Sequence, residues 1–236
     1  DGATTLDVAL NRNRFGGYAE VNNFGTGSLG RERVQLSLWG SELLTGSDRL
    51  VVTGRTSLTN PDRFMSFNGG YSLGLGDDGA RLSINGGFGA TAPEYAALPT
   101  ANFKGESVQG NVGLSYPLIV QPDLIVRANI GGSYLKVTQE DMGQLLMSDT
   151  SVTLDMGLNA TQRIGGGRLR VGVDFAQGLD ILGATRRGDL LASRRDGDGV
   201  FTRLGGSAEM TMPLYKGFEL FMAARGQWAS RPLLGT

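Results

Sequence analysis

The 236-residue chain contains neither cysteine nor histidine. Without cysteine there is no disulfide framework, no thiol nucleophile and no Cys/His zinc site. Without histidine there is no Ser-His-Asp triad. An enzyme seated in a barrel would need such a constellation at its strand ends, so the chain is expected not to be an enzyme. No cofactor, metal or small-molecule substrate is expected. Apolar residues never run together for more than a few positions, so no segment can cross a bilayer as a helix. Neither sign of charge dominates: 22 basic residues stand against 23 acidic ones, a net charge of −1. A nucleic-acid partner would call for a basic stripe, and none is expected. No signal peptide stands at Asp1, which fits a mature protein or an excised fragment equally.

What the chain has is glycine and alternation. Its 38 glycines are roughly double the usual ~7%. They follow no Gly-X-Y period, so they serve close strand approach and curvature rather than a collagen helix. From 123 to 176, three segments alternate apolar and polar residues, with Leu124, Val126, Ala128 and Ile130 set between Ile125, Arg127, Asn129 and Gly131 in the first. A period of two means strands with one apolar face. The polar partners mix Asn, Asp, Arg, Thr and Gly, which suits a crowded, hydrated interior. Segments of about ten alternating residues bounded by turns are the signature of a transmembrane β-barrel.

Arg127, Asp155, Arg170, Asp174, Arg203, Glu209, Glu219 and Arg225 fall on the polar parity of their strands and are expected to face a lumen. Leu124, Val126, Ile130, Val152, Leu154, Leu158, Val171, Val173 and Met210 fall on the opposite parity and are expected to face lipid. An Arg on the lipid face at the midplane would cost about 2–4 kcal/mol, so a bilayer enforces this sorting. A sheet face open to water is the plainer reading of the same charges. Tyr71, Tyr116, Phe88, Phe218 and Trp228 lie near strand ends, where interfacial aromatics sit. Phe221 breaks the parity.

Strands are expected at 15–22, 33–39, 49–56, 63–75, 81–89, 107–116, 123–137, 151–163, 168–177, 200–212 and 218–228. A further short strand is expected at 4–11. Tight turns at 76–79, 164–167 and 214–217, with a longer one at 116–122 bounded by Pro117 and Pro122, alternate with long connections at 90–106, 138–150 and 178–199. Long loops at one end and tight turns at the other are what an outer-membrane barrel shows. The fold class expected is therefore all-β, an antiparallel transmembrane β-barrel. A soluble β-sandwich is the alternative.

Two motifs reduce to loops. Gly25-Thr26-Gly27-Ser28-Leu29-Gly30 matches G-x-G-x-x-G, but a strand rather than a helix follows, so no pyrophosphate site forms. Asp196-Gly197-Asp198-Gly199 lacks the remaining ligands of a calcium loop, and is expected to be a solvated loop tip. Arg187-Gly188-Asp189 is too short to carry meaning.

The residues Asn22-Asn23-Phe24-Gly25, with Gly30-Arg31 after them, resemble the Asp-Asn-Tyr-Gly and Thr-Gly-Arg motifs of the TpsB transporters of two-partner secretion. This is the haemolysin-activator and filamentous-haemagglutinin-transporter branch of the Omp85 superfamily. Asn22 stands for Asp, Phe24 for Tyr and Leu29 for Thr. Gly46-Ser47-Asp48-Arg49-Leu50 resembles the family's Gly-x-Asp-x-Leu turn, and Gly226-Gln227 with Pro232-Leu233 its eleventh-strand segment. The resemblance implies the first eleven strands of a sixteen-stranded barrel at 13–236, with 1–12 the last strand and linker of a periplasmic POTRA domain. It implies a native chain longer in both directions, in the outer membrane of a Gram-negative bacterium, in contact with outer-membrane lipid. It also implies a pore that exports a large unfolded client (a TpsA-like protein). An Omp85-type assembly factor and a general diffusion porin are the alternatives.

Overall fold

A computed structural model describes residues 13–95 and 102–235. Eleven strands form one sheet in sequence order, every neighbouring pair antiparallel. They are β1 (Phe15–Asn22), β2 (Arg33–Ser41), β3 (Asp48–Ser57), β4 (Phe64–Leu75), β5 (Ala80–Thr91) and β6 (Phe103–Val120). The second half comprises β7 (Leu124–Asp141), β8 (Gln144–Ile164), β9 (Gly167–Gly178), β10 (Thr202–Pro213) and β11 (Glu219–Ala229). Single 3-10 turns at Pro61–Arg63 and Tyr215–Gly217 precede β4 and β11. None of the described residues forms a helix long and apolar enough to cross a membrane. The strand expected at 4–11, and with it the domain boundary at 12, lies outside the described residues.

Among the described residues no second layer packs on the sheet: each strand packs against its sequence neighbours. The apolar face is therefore bare, with Val171 41% and Val173 54% exposed. That is the reverse of a sandwich, whose alternating apolar residues meet those of a facing sheet in a dry core. The buried apolar residues Ala176, Ala184 and Phe201 lie instead beside or within the loop after β9.

Register decides which residues share a face, because directly paired residues point the same way. The connections after β2, β4, β6, β8 and β10 are short and all lie at one end. The β8–β9 connection is the two-residue turn Gly165-Gly166, both at positive φ (55° and 81°), the mirror-image geometry that matches strand twist.

Three local expectations are corrected. The segment 138–150 is not a long loop: β7 and β8 continue through it and join at Met142-Gly143, whose φ values are 50° and 80°. Pro117 does not stop the ladder, because β6 runs on to Val120 and the register slips between Pro117 and Ile119. That bulge is where a residue lacking an N–H is tolerated inside a strand. Asp198 is not solvated: it is 3% exposed and ion-paired with Arg231.

Candidate functional site

The pairings carry one face unbroken from β1 to β11. Arg203 opposes Ala176, Ala176 opposes Asp155, Asp155 opposes Gly131, and Gly131 opposes Gly113. Arg127, Arg170, Asp174, Glu209, Glu219 and Arg225 lie on this same face. Leu124, Val126, Ile130, Val152, Leu154, Leu158, Val171, Val173 and Met210 lie on the other. Val152 differs from its fellows in being 7% exposed. It is buried because the loop after β9 runs beside it, with the Leu179 N–H donating to the Val152 carbonyl at 2.8 Å. Phe221 opposes Thr211 and is the aromatic exception on the charged face.

The polar face is cross-linked strand to strand. Arg203 pairs with Asp174 at 3.4 Å and Arg170 with Glu209 at 3.8 Å. The Asp155 carboxylate accepts from the Ser133 hydroxyl at 2.9 Å and the Thr153 hydroxyl at 2.7 Å. Further along, Arg55 donates to Gln35 at 2.6 Å, and Ser37 and Thr53 share a bond of 2.6 Å. Arg127, Glu219 and Arg225 form no ion pair among the described residues. At the tight-turn end Arg163 and Arg168 are direct cross-strand partners of like charge. With Asp123, Arg170 and Glu219 they line an open cavity of about 720 Å³.

The motif residues of the first loop have a structural explanation. Asn22 Oδ1 accepts the Phe24 N–H at 3.1 Å, which turns the chain out of β1. The Gly25 N–H donates to the Arg31 carbonyl at 2.9 Å, folding the loop across itself. A Cβ on Gly25 would strike the Gly30 and Arg31 carbonyls, and one on Gly30, at φ 89°, would strike the Ser57 hydroxyl. Arg33 lies over the Phe64 ring at 4.0 Å. Phe24 itself is exposed. Asp48 is the hub of the following turn, its carboxylate accepting the Leu43 and Leu44 N–H groups and the Tyr71 hydroxyl, each at 2.8 Å.

The opposite end holds an arrangement that sequence reasoning missed. β9 stops at Gly178, opposite Thr153, so the part of β8 before Thr153 has no strand beside it there. Residues 179–201 run along that edge. Thr185 donates to the Thr150 carbonyl and its hydroxyl accepts from the Thr150 N–H, both at 2.8 Å, and Ser148 donates to the Leu191 carbonyl at 2.8 Å. Fully buried Asp149 accepts from the Ser193 N–H at 3.1 Å. Residues 231–235 close over this loop: Arg231 pairs with Asp198, Asp198 donates its N–H to the Pro232 carbonyl, and Gly235 donates to Ser193. Burial raises the Asp198 carboxyl pKa, but the Val200 N–H and the Arg231 guanidinium outweigh it and hold the group below its ordinary 3.8.

An antiparallel meander of eleven strands, polar on one face and apolar on the other, with its long loops all at one end, is the wall of a transmembrane β-barrel. Residues 2–236 match the haemolysin secretion/activation protein family ShlB/FhaC/HecB, and the chain belongs to that family. Its fold is similar to CdiB from Escherichia coli, with a TM-score of 0.82 at 22% identity, over 95% of this chain and 42% of that one. CdiB from Acinetobacter baumannii gives 0.63 at 14% identity, over 93% of this chain and 39% of that one. BamA from Haemophilus ducreyi lacking POTRA domains 1–3 gives 0.56 at 12% identity, over 95% and 42%. The chain thus spans about two-fifths of the length of these structures. No curated protein matches it in sequence. Members of the family are outer-membrane β-barrel transporters of Gram-negative bacteria.

Proposed function

We propose that this chain forms a sector of the wall of an outer-membrane pore that exports a large, unfolded secreted partner. The observation that carries the reading is the sorting of the two faces over all eleven strands, in a chain of this family. One face would meet lipid and the other a hydrated lumen. In this reading Arg127, Asp155, Arg170, Asp174, Arg203, Glu209, Glu219 and Arg225 line the lumen. Leu124, Val126, Ile130, Leu154, Leu158, Val171, Val173 and Met210 face the hydrocarbon. The first-loop residues Asn22, Asn23, Phe24, Gly25, Gly30 and Arg31 act as a structural clasp rather than a binding site.

The apolar band supports the geometry. On β7 the outer residues Leu124, Val126, Ala128, Ile130, Gly132 and Tyr134 give way to Lys136. That is the length of about 9–11 residues with which a tilted strand spans a bilayer. Lumen charges of both signs, partly paired with one another, leave no strong fixed site to trap a sliding chain. Direction would come from folding of the client outside. The chemistry is transport, with no bond made or broken. The full-length protein in planar bilayers should conduct ions, and its deletion should abolish secretion of the client. A silent bilayer together with unimpaired secretion would refute the reading.

A further inference from the structure

The polar face is not uniform around the sheet. Between Gly131 and Gln139 on β7, and over the matching heights of β4, β5 and β6, its side chains carry no charge, and Arg81, opposite Ser115 at the height of Asn129, bounds the stretch on the tight-turn side. What stands there is Asn68, Asn85, Gln109 and Asn111, set among serines and glycines, with Leu135 and Val137 on β7 opposite Gln109 and Ser107. From β8 to β11 the same face carries Asp155, Arg170, Asp174, Arg203, Glu209 and Arg225. The amides are bonded to one another across strands, Asn85 to Asn111 at 2.8 Å and Gln109 to Asn68 at 3.2 Å. Shallow grooves of about 210 and 300 Å³ lie here, the first along Asn68, Asn85 and Gln109, the second from Asn111 and Gly131 across to Asp155 at the edge of the charged sector.

We infer that this uncharged amide-and-glycine sector, β4 to β7, is the track along which an extended polypeptide backbone passes, while the charged sector β8 to β11 stands off from it. The inference rests on the export reading and specifies which wall the client touches. A side-chain amide offers the same donor and acceptor as a peptide group. It can therefore exchange hydrogen bonds with a moving backbone of any sequence, each exchange nearly neutral because a bond to water or to a neighbouring amide replaces the one lost. A guanidinium or carboxylate offers a backbone only donors or only acceptors, and favours client side chains of one charge over those of the other. Glycines at 87, 113 and 131 remove the side chains that would otherwise hold the backbone away from the wall.

Single cysteines at Asn85, Asn111, Asp174 and Glu209, placed in a cysteine-free version of the full-length protein, test this in planar bilayers. The probe is an unfolded polypeptide of Gly, Ser, Asn and Thr bearing one cysteine as its thiopyridyl mixed disulfide, from which the pore thiolate displaces thiopyridone, added to the open pore. Disulfide capture is expected at Asn85 and Asn111 in several-fold greater yield than at Asp174 and Glu209. Asn85→Asp with Asn111→Asp should change the dwell time of the probe's current blockades several-fold. Equal or greater capture at Asp174 and Glu209 overturns the inference. A cysteine-free protein that neither conducts nor is blocked by the probe fails at the earlier step and removes the export reading itself.

Discussion

Gly30 holds a φ of 89° under the Ser57 hydroxyl, so an added methyl meets two penalties at once. The left-handed backbone costs a non-glycine residue about 1–2 kcal/mol, and the collision adds to it. Gly30→Ala is therefore expected to destabilise the first loop by about 2 kcal/mol or more. Faster protease cleavage between 23 and 32 and a lower heat-modification midpoint on gels would register it; unchanged values would show that the clasp is slack. At the other end of the sheet Arg163 and Arg168 oppose each other directly, an arrangement that costs a few tenths of a kcal/mol up to about 1. Arg168→Glu converts repulsion into attraction and should raise the unfolding midpoint in low salt, the gain shrinking as salt is added. The importance of Gly25 and Gly30 was legible as a motif, but its cause was not. The carbonyls and the hydroxyl that exclude a Cβ come from residues 30, 31 and 57, and no local pattern announces that crossing.

At the scale of elements, the strands could be read from sequence where one face is apolar and the other polar, and were lost where that period of two fades. Leu124 to Tyr134 alternate because one face is apolar and the other wet. From Lys136 to Ser148 the alternation fades, and a continuous hairpin looks like a loop. The free edge of that hairpin is a liability, since unpaired strand edges recruit other chains. Here residues 179–201 cover it, held in turn by Asp198 and Arg231. Because the Asp198 carboxyl sits below its ordinary 3.8 in the folded protein, its contribution is complete above that value and is lost as pH falls through the lower, folded one. Amide exchange at Thr185 and Gly199 should therefore stay slow at pH 5 and accelerate only in strongly acidic solution. Asp198→Asn should speed it at neutral pH, because hydrogen bonds to a charged group, worth about 1.5–3 kcal/mol, are weakened, and the two proteins should converge in strong acid. Equal exchange in both proteins at neutral pH would show that Arg231 and Asp198 do not hold the cover.

For the whole molecule, the fold follows from one division maintained across eleven strands, and neighbours in sequence make it testable. Leu154 and Asp155 are adjacent, yet register places Leu154 opposite Gly132 and Gln177 on the apolar face, and Asp155 opposite Gly131 and Ala176 on the polar one. The same new charge at the two positions should therefore have unlike consequences. Leu154→Arg puts a guanidinium against hydrocarbon at a cost of about 2–4 kcal/mol if it lies near the midplane. Less protein should reach the heat-modifiable, membrane-inserted form, and what does insert should unfold at lower temperature. Asp155→Arg leaves the lipid face untouched. It loses the bonds from Ser133 and Thr153, so some stability goes, but the barrel should still insert. Its signature should be electrical, a shift of reversal potential towards anions in a salt gradient, because a lumen carboxylate has become a guanidinium. If Leu154→Arg inserted as well as the unaltered protein, and Asp155→Arg left selectivity untouched, the faces would not be lipid and lumen. The period of two would then describe a sheet lying in water.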